Sequence, residues 1–167
     1  MMKIGIISDT HSYLDKQVLH YFKDVDEIWH AGDIGNLEVT NSLAQVKKLR
    51  AVFGNIDNAE ARKQYAKFEI FSIENCKILI IHIAGSFGKY NKETQNLINE
   101  HQPNILVCGH SHILKVANDI KYKLLYINPG AAGIHGFHKV KTIIRFEIEN
   151  GKPKNMELIE LGQRGKV

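Results

Sequence analysis

Residues that can bind metal ions follow apolar runs at five places along the chain. These places read Ser8-Asp9-Thr10-His11, Gly32-Asp33, Gly54-Asn55-Ile56-Asp57, His82 and Gly109-His110-Ser111-His112. Carboxylate, amide oxygen and imidazole suit hard or borderline divalent cations such as Mn, Fe, Zn, Ni or Co, whereas a thiolate-rich set would indicate a structural zinc. Because ligands gather at the carboxyl ends of strands in open α/β sheets, we expect all five places to face one crevice.

Such a crevice could hold a pair of cations and act on a phosphoryl group. A carboxylate between two cations offsets their mutual repulsion, because its two oxygens can bind one ion each. Cations held about 3.5–4 Å apart can clamp a phosphoryl group and lower the pKa of a bridging water. The glycines at positions 32, 54 and 109 let the backbone turn sharply at a strand end and approach a ligand closely.

Each motif alone has a plainer interpretation. Asp9 with His11 is also typical of a capping or surface pair, and the Gly32-Asp33 dipeptide is typical of a turn. His82, inside an apolar run, is more often a hydrogen-bonded core histidine. The joint pattern favours metal binding, because all five pieces follow apolar runs and each supplies a ligand type.

The segments that must position these residues alternate between strand and helix in the first half of the chain. The patterns predict strands at residues 3–8, 27–31 and 50–53 and helices at 14–22, 37–46 and 59–65, with Ser12 and Asn36 as N-caps of the first two helices. A hairpin of strands 68–73 and 77–83 follows, then a helix at 92–101 and strands at 105–108, 114–118, 122–127, 142–148 and 156–161. This order predicts an α/β fold of two packed sheets covered by helices.

Composition is that of an ordinary globular protein of 167 residues, 44% hydrophobic and 24% charged, so we expect one domain over residues 1–167. The first residues read as a strand and not as a signal peptide, and no apolar run is long enough to cross a membrane. Cys76 and Cys108 are expected to be free thiols in a reducing cytoplasm. The net charge of +4 comes with scattered lysines and no basic stripe, so nucleic acid is not an expected partner.

The order of the motifs resembles that of the calcineurin-like metallophosphoesterases, and more closely that of their small bacterial and archaeal phosphodiesterase branch. The resemblance covers almost the whole chain. It runs from Asp9-Thr10-His11 through His30-Ala31-Gly32-Asp33, Gly54-Asn55-Ile56-Asp57 and His82 to Gly109-His110-Ser111-His112, and continues into Asn128-Pro129-Gly130.

The resemblance implies two metal positions that share one carboxylate. The first would be held by Asp9, His11, Asp33 and His112. The second would be held by Asp33, Asn55, His82 and His110, with Asp33 bridging; Asp33, Asn55 and His82 are the expected catalytic residues.

The resemblance also implies a four-layer αββα sandwich of two mixed sheets flanked by helices. The expected cofactors are two divalent metal ions, Mn first and Fe, Ni, Co or Zn as alternatives. The expected reaction is hydrolysis of a small phosphoester, with a metal-bridging hydroxide attacking phosphorus in line. A homo-oligomer is compatible with this interpretation, and a membrane partner is not expected.

Three departures from the family pattern bear on substrate choice. The branch often reads His-Gly-His where this chain has His82-Ile83-Ala84, so an outer histidine is missing. Larger relatives carry a histidine directly after the Asn of the Gly-Asn motif, and here that residue is Ile56. Esters with good leaving groups are therefore expected. The exception would be a chain in which another group protonates the product, and His135 and His138 are candidates for that role. They stand in a glycine-rich loop where the branch often has a Pro-Arg pair, and an exposed loop is the plainer interpretation for them.

Two other functional classes remain open on the sequence alone. A catalytically weak scaffold for protein interaction has a precedent in the retromer subunit of the same fold, although such a scaffold has no need to keep all seven ligands, as this chain does. A nuclease or nucleic-acid binder lacks its expected basic stripe with aromatic residues.

Overall fold

The computed structural model describes residues 1–165, and most of their strands lie in two five-stranded mixed sheets. The first sheet has the order β12-β11-β1-β2-β3 and is formed by β1 (Met2–Ile7), β2 (Glu27–His30), β3 (Lys48–Ala51), β11 (Val140–Glu149) and β12 (Lys152–Gln163). Strands β1, β2 and β3 are parallel, and β11 runs antiparallel to β1. Three strand ends therefore lie at one edge.

The second sheet has the order β4-β5-β8-β10-β9 and packs against the first. It is formed by β4 (Phe68–Ile73), β5 (Cys76–Ile81), β8 (Ile105–Val107), β9 (Lys115–Asp119) and β10 (Leu124–Asn128). Its three central strands, β5, β8 and β10, are parallel. A short separate hairpin consists of β6 (Gly85–Ser86) and β7 (Lys89–Tyr90).

Alternation along the strands divides the apolar side chains between a central layer and two outer layers. In β1, Ile4 and Ile6 point into the cluster between the sheets, where they join Trp29 and residues of the second sheet. Ile7 packs on the other face, in the cluster that includes Phe22. Gly5 lies on that face too, and a Cβ there would come within 2.6 Å of the Phe22 ring, so only glycine admits this packing.

Within residues 1–165, four helices flank the two sheets and complete the predicted αββα order. They are α1 (Lys16–Tyr21), α2 (Glu38–Val46), α3 (Ala59–Gln64) and α4 (Lys92–His101). Residues of α1 and α2 contribute to the apolar cluster outside the first sheet, and Leu97 and Ile98 of α4 contribute to the cluster outside the second. The fold class expected from the sequence is confirmed.

The predicted N-cap of the first helix was wrong. Asp15 caps α1 by accepting the Gln17 N–H at 3.0 Å, because Ser12 is already engaged elsewhere. The Ser12 hydroxyl accepts the Asn36 N–H at 2.8 Å and ties the turn after β1 to the turn after β2. The Asn36 side chain does accept the Glu38 N–H at 2.9 Å, as a cap of α2 would.

Most element boundaries differ from the predicted ones by a few residues. The predicted strand at 50–53 lies at Lys48–Ala51, because the chain turns away after Val52 toward Asn55. The β6–β7 hairpin was not predicted, and β11 and β12 are longer than their apolar patterns indicated. Among residues 1–165, no helix is long and apolar enough to cross a membrane.

Both cysteines are free, as the sequence predicted, and the structure places both in the interior. Burial raises the pKa of the Cys76 thiol to about 11 and that of the Cys108 thiol to about 12. Both therefore stay protonated at neutral pH, which makes them poor nucleophiles and poor metal ligands.

A buried ion pair at the start of α1 gives a first testable prediction. Lys141 Nζ lies 2.5 Å from Asp15 Oδ2, and both side chains are about nine-tenths buried. Burial alone would raise the pKa of Asp15, but the bonds from Lys141 and Gln17 outweigh it and lower that pKa. We expect Asp15→Ala to cost about 3 kcal/mol of unfolding free energy, because it leaves the Lys141 ammonium unpaired and removes a helix cap.

Urea unfolding at several pH values checks this prediction. Because the Asp15 pKa is depressed in the folded state, its contribution should be full above its ordinary value and should disappear as the pH falls through the folded value. Lys141→Met, which removes the other member of the pair, should also lower the unfolding free energy, and Lys139→Met, at an exposed lysine of the same segment, is its matched control. An unfolding free energy of Asp15→Ala within about 0.5 kcal/mol of the native value would contradict the assignment.

Candidate metal centre

The turns that follow β1, β2, β3, β5 and β8 meet in one crevice between the two sheets. Parallel strands end at the same edge, so the polar residues that follow them are brought together even though they are distant in sequence. Two groups of potential ligand atoms result, each with all its atoms within 4.8 Å of one another. The groups are Asp9, His11 and His112, and Asp33, His82 and His110.

In the first group, Asp9 lies completely buried at the bottom of the crevice. Its Oδ1 is 3.2 Å from Nε2 of His112. The Ser8 hydroxyl donates to its Oδ2 at 2.7 Å, and the backbone N–H of His110 donates to both oxygens at 3.2 and 3.1 Å. These donors fix the carboxylate while leaving Oδ1 directed at the imidazole.

The second group also includes an amide oxygen. Oδ1 of Asn55 lies 3.2 Å from Nε2 of His82 and 3.0 Å from Nδ1 of His110. Asp33 Oδ1 lies 3.2 Å from the same His82 nitrogen. The four side chains thus present oxygen and nitrogen atoms to one small volume, at separations that suit ligands bound to a common cation at about 2.0–2.2 Å.

Asp33 connects the two groups. Its Oδ1 faces His82 at 3.2 Å, while its Oδ2 faces Nε2 of His11 at 3.5 Å. The Ile56 N–H donates to Oδ1 at 3.1 Å and helps to hold the carboxylate in this orientation. Burial opposes ionisation of Asp33, but the contacts with His82 and Ile56 outweigh it and lower its pKa, so the group is ionised at neutral pH.

Two imidazoles show that this crevice suits cations better than an ordinary hydrogen-bonded core. Nε2 of His11 is buried and has no hydrogen-bond partner. His82 donates its Nδ1–H to the Ala31 carbonyl at 2.8 Å, so its Nε2 lone pair points at the oxygens of Asp33 and Asn55. If the ring is neutral, its Nε2 and the two oxygens are all hydrogen-bond acceptors with no proton between them, and a bound cation would satisfy all three.

Protonation of His82 is the alternative way to satisfy these acceptors. Burial lowers the pKa of this ring, but the hydrogen bond with Asp33 and the charges of Asp9 and Asp33 outweigh burial and raise it. The same negative field that favours a proton here also favours a metal ion.

Five of the seven predicted ligands have left-handed backbone conformations. Their φ angles are 53° for Asp9, 44° for His11, 53° for Asp33, 68° for His110 and 58° for His112. A non-glycine residue in this region costs on the order of 1–3 kcal/mol, although Asp and His tolerate it better than most. The sharp turns aim side chains at the crevice directly after each strand.

The three glycines of the motifs allow these close approaches. A Cβ on Gly54 would collide with the Asp33 carboxylate, and one on Gly109 would collide with Ser8 and Asp9. Gly32 has φ 97°, and a Cβ there would come within 2.7 Å of the His82 ring. The role predicted for these glycines is therefore seen in the packing.

Asp57 is a positioning residue whose role the sequence did not reveal. It is buried, and its carboxylate accepts backbone N–H groups from Ile34 at 3.1 Å, Gly35 at 2.8 Å and Gly54 at 2.7 Å. These donors belong to two turns, one carrying Asp33 and the other Asn55. A single carboxylate thus holds two ligand turns together.

His30 plays a similar part beneath the crevice. Its Nδ1 accepts the Gly32 N–H at 3.1 Å, so its Nε2–H is the atom that donates to Thr10 Oγ1 at 2.9 Å. The Thr10 hydroxyl in turn donates to the Ile34 carbonyl at 2.9 Å. Complete burial lowers the pKa of His30 to about 4, so the ring is neutral and serves as a structural link.

The histidines of the glycine-rich loop lie against the first ligand group. The ring of His135 is 5.1 Å from that of His11, and the ring of His138 is 5.2 Å from that of His112. His138 donates through Nε2 to the Gly133 carbonyl at 2.8 Å, while His135 is exposed. The sequence placed both residues in a loop but gave no sign that this loop folds over the crevice.

Comparison with known proteins agrees with the geometry. Residues 2–151 match the model of the calcineurin-like phosphoesterase superfamily domain. A protein of Methanocaldococcus jannaschii named "probable metallophosphoesterase" is 31% identical over 155 residues, which cover 89% of this chain and 77% of the relative. A phosphodiesterase of the same organism is 27% identical over 147 residues, covering 77% of this chain and 83% of the relative.

Solved structures share the fold. Vps29 of Entamoeba histolytica, in a complex with Zn²⁺, superimposes with a TM-score of 0.74 at 17% identity, over 98% of this chain and 100% of that one. This likeness concerns the arrangement of the two sheets and their helices.

The contacts of Asp57 generate the second prediction. We expect Asp57→Asn to weaken Mn²⁺ binding by about 10- to 100-fold, because an amide cannot accept all three N–H groups and the two ligand turns separate. Titration calorimetry with the metal-free protein measures this. Asp119→Asn is the matched control, since Asp119 is also buried and accepts bonds from Tyr90 and Tyr122 but lies away from the crevice. Equal losses of affinity in both variants would contradict the role of Asp57.

Proposed function

The chain belongs to the calcineurin-like phosphoesterase superfamily, and on that premise we propose that it is a metal-dependent phosphodiesterase that hydrolyses a small phosphoester. The whole chain, residues 1–167, is proposed to form one such domain. The observation that carries the proposal is the position of Asp33, with one oxygen toward each of two ligand groups.

We assign the seven residues to two cation positions. Asp9, His11, Asp33 and His112 would hold the first ion, and Asp33, Asn55, His82 and His110 the second, with Mn²⁺ as the first candidate. Divalent ions at these positions supply Lewis acidity toward phosphoryl oxygens and lower the pKa of a bound water. His11, with its unpartnered nitrogen, and His82, with its fixed tautomer, support the assignment.

The charge of the ligand set suits an anionic substrate. Asp9 and Asp33 supply two negative charges, and the other five ligands are neutral when they bind a metal. Two divalent cations would bring four positive charges, so two would remain to attract a phosphodiester anion and to offset charge that develops on its oxygens.

The leaving group receives little help from the turn that follows Asn55. Ile56 is 44% exposed there, and its side chain cannot donate a proton. The substrate should therefore be an ester whose leaving group departs as a stable anion. The ring of His135 lies 5.1 Å from that of His11, in the other ligand group.

The alternative function is that of a scaffold for protein interaction, and the observation that favours it is the fold shared with Vps29. The complete set of seven ligands and their supporting residues favours catalysis. Tight metal binding without turnover of any phosphoester class would decide for the scaffold.

Substitution of the bridging carboxylate tests the proposal. We expect Asp33→Ala to reduce Mn²⁺-dependent hydrolysis of bis(p-nitrophenyl) phosphate by at least about a thousandfold, because both cation positions lose a ligand. Metal analysis should show fewer bound ions, while circular dichroism should show a folded chain. Asp24→Ala, at an exposed aspartate, is the control. A native rate in Asp33→Ala with added Mn²⁺ would disprove the bridging assignment.

A gain of function tests the missing proton donor. We expect Ile56→His to accelerate hydrolysis of diesters with poor leaving groups by about tenfold, with little effect on p-nitrophenyl esters, because a general acid matters most when the leaving group is basic. Ile56→Phe, which changes size without adding a proton donor, is the control. Equal acceleration of both ester classes by Ile56→His would contradict this explanation.

A further inference from the structure

The rim of the crevice is unusually apolar. Isoleucines follow three of the predicted ligands directly, and all three are exposed: Ile56, Ile83 and Ile113. On the glycine-rich loop, Ile134 and Phe137 are exposed as well. Exposed apolar side chains that lie around one polar site commonly mark a binding surface, so the rim could bind an apolar group of a ligand.

One cleft of this rim has the size of a small-molecule site. It has a volume of about 620 Å³, within the range of about 300–1,000 Å³ that such sites occupy. Its walls include Ile83, Phe87, His110, Ile113, Lys115 and Tyr126. His110 belongs to the second ligand group, so the cleft opens directly from the proposed metal centre.

The far wall of the cleft is aromatic. The unpredicted β6–β7 hairpin carries Phe87 at its tip, and the Phe87 ring lies 5.4 Å from that of Tyr126 at an angle of 73°. Tyr126 is buried beneath it, which fixes the position of the wall. Lys115 places its ammonium 4.8 Å from the centre of the Phe87 ring. A flat apolar group could pack against this aromatic wall, next to the Lys115 ammonium.

The sequence departure at residues 83 and 84 explains the apolar character of the near wall. Where the family branch often reads Gly-His, this chain has Ile83, which is 38% exposed, and Ala84, which is buried. An imidazole is thereby replaced by a methyl group, and a branched apolar side chain is added beside His82. Both changes make the cleft better suited to an apolar group than to a polar one.

We infer that this cleft binds an aromatic arm of the substrate, such as an aryl group or a nucleobase, while the phosphoryl group lies at the metal centre. The inference rests on the proposed function and adds the substrate class. The continuity through His110 ties the cleft to the reacting group, and the positive charge of Lys115 suits the electron-rich face of an aromatic ring or acceptor atoms among its substituents.

Binding of phosphonates to the Mn²⁺-loaded protein tests the inference without requiring turnover. We expect phenylphosphonate to bind about tenfold more tightly than methylphosphonate, and more tightly than cyclohexylphosphonate, which is similar in size but not flat. Titration calorimetry provides the dissociation constants. The preference for phenyl over methyl should fall at least about threefold in Phe87→Leu, which removes the ring but keeps an apolar side chain, and in Ile113→Ala.

Ile120→Ala is the matched control for Ile113→Ala, because Ile120 is also exposed but lies in the turn between β9 and β10. It should leave the preference unchanged. Two results would overturn the inference. One is a ratio near one between the dissociation constants of methyl- and phenylphosphonate in the native protein. The other is equal binding of phenyl- and cyclohexylphosphonate in both the native protein and Phe87→Leu.

Hydrolysis of bis(p-nitrophenyl) phosphate by the same samples separates this inference from the proposed function. Turnover without a preference for phenylphosphonate would reject the aromatic cleft and leave the phosphodiesterase standing. A metal-dependent preference for phenylphosphonate without turnover of any ester would reject the enzymatic function and support the cleft as a binding site.

Discussion

The concentration of negative charge and lone pairs in one crevice is the constraint on which the rest of the structure depends. Asp9 is completely buried and Asp33 almost so, and imidazole nitrogens approach the oxygens of both. In a protein interior, uncompensated charges and unpartnered acceptors are costly. Positive charge in the crevice would stabilise this arrangement, and the two divalent cations proposed above would supply it to the ligand types found.

The fold maintains this unfavourable arrangement through several separate contacts. Parallel strands bring five turns to one edge, and the apolar layer between the sheets fixes the strands themselves. Asp57 and His30 then join the turns to one another through backbone N–H groups. These bonds help to hold the left-handed conformations of five of the proposed ligands.

The sequence predicted the parts of this molecule that depend on local pattern. Strand type, the two packed sheets covered by helices and the ligand candidates follow from apolar runs and from the residues placed directly after them, whereas the αββα order was implied by the family resemblance. The N-cap of α1 was wrong because Ser12 is recruited by Asn36, a contact made across two turns. Other features also depend on tertiary contacts, for which the local sequence has no periodic signal. These are the roles of Asp57 and His30, the β6–β7 hairpin and the approach of His135 to His11.

Three of the proposed ligands, Asn55, His82 and His112, are followed directly by a residue that is exposed at the rim of the crevice. The residues that follow Asp9 and Asp33, Thr10 and Ile34, are buried instead. In this chain, the rim residues Ile56, Ile83 and Ile113 are apolar. Near residues 56 and 83, where the resemblance led us to expect histidines, this chain has apolar side chains. It therefore has apolar surface where a proton donor was expected. A leaving group that needs no proton and packs well against an apolar wall is an aryloxide such as a phenolate, because delocalisation into the ring stabilises its charge. The absence of a proton donor near Asn55 and the proposed aromatic cleft near His110 therefore favour the same kind of leaving group.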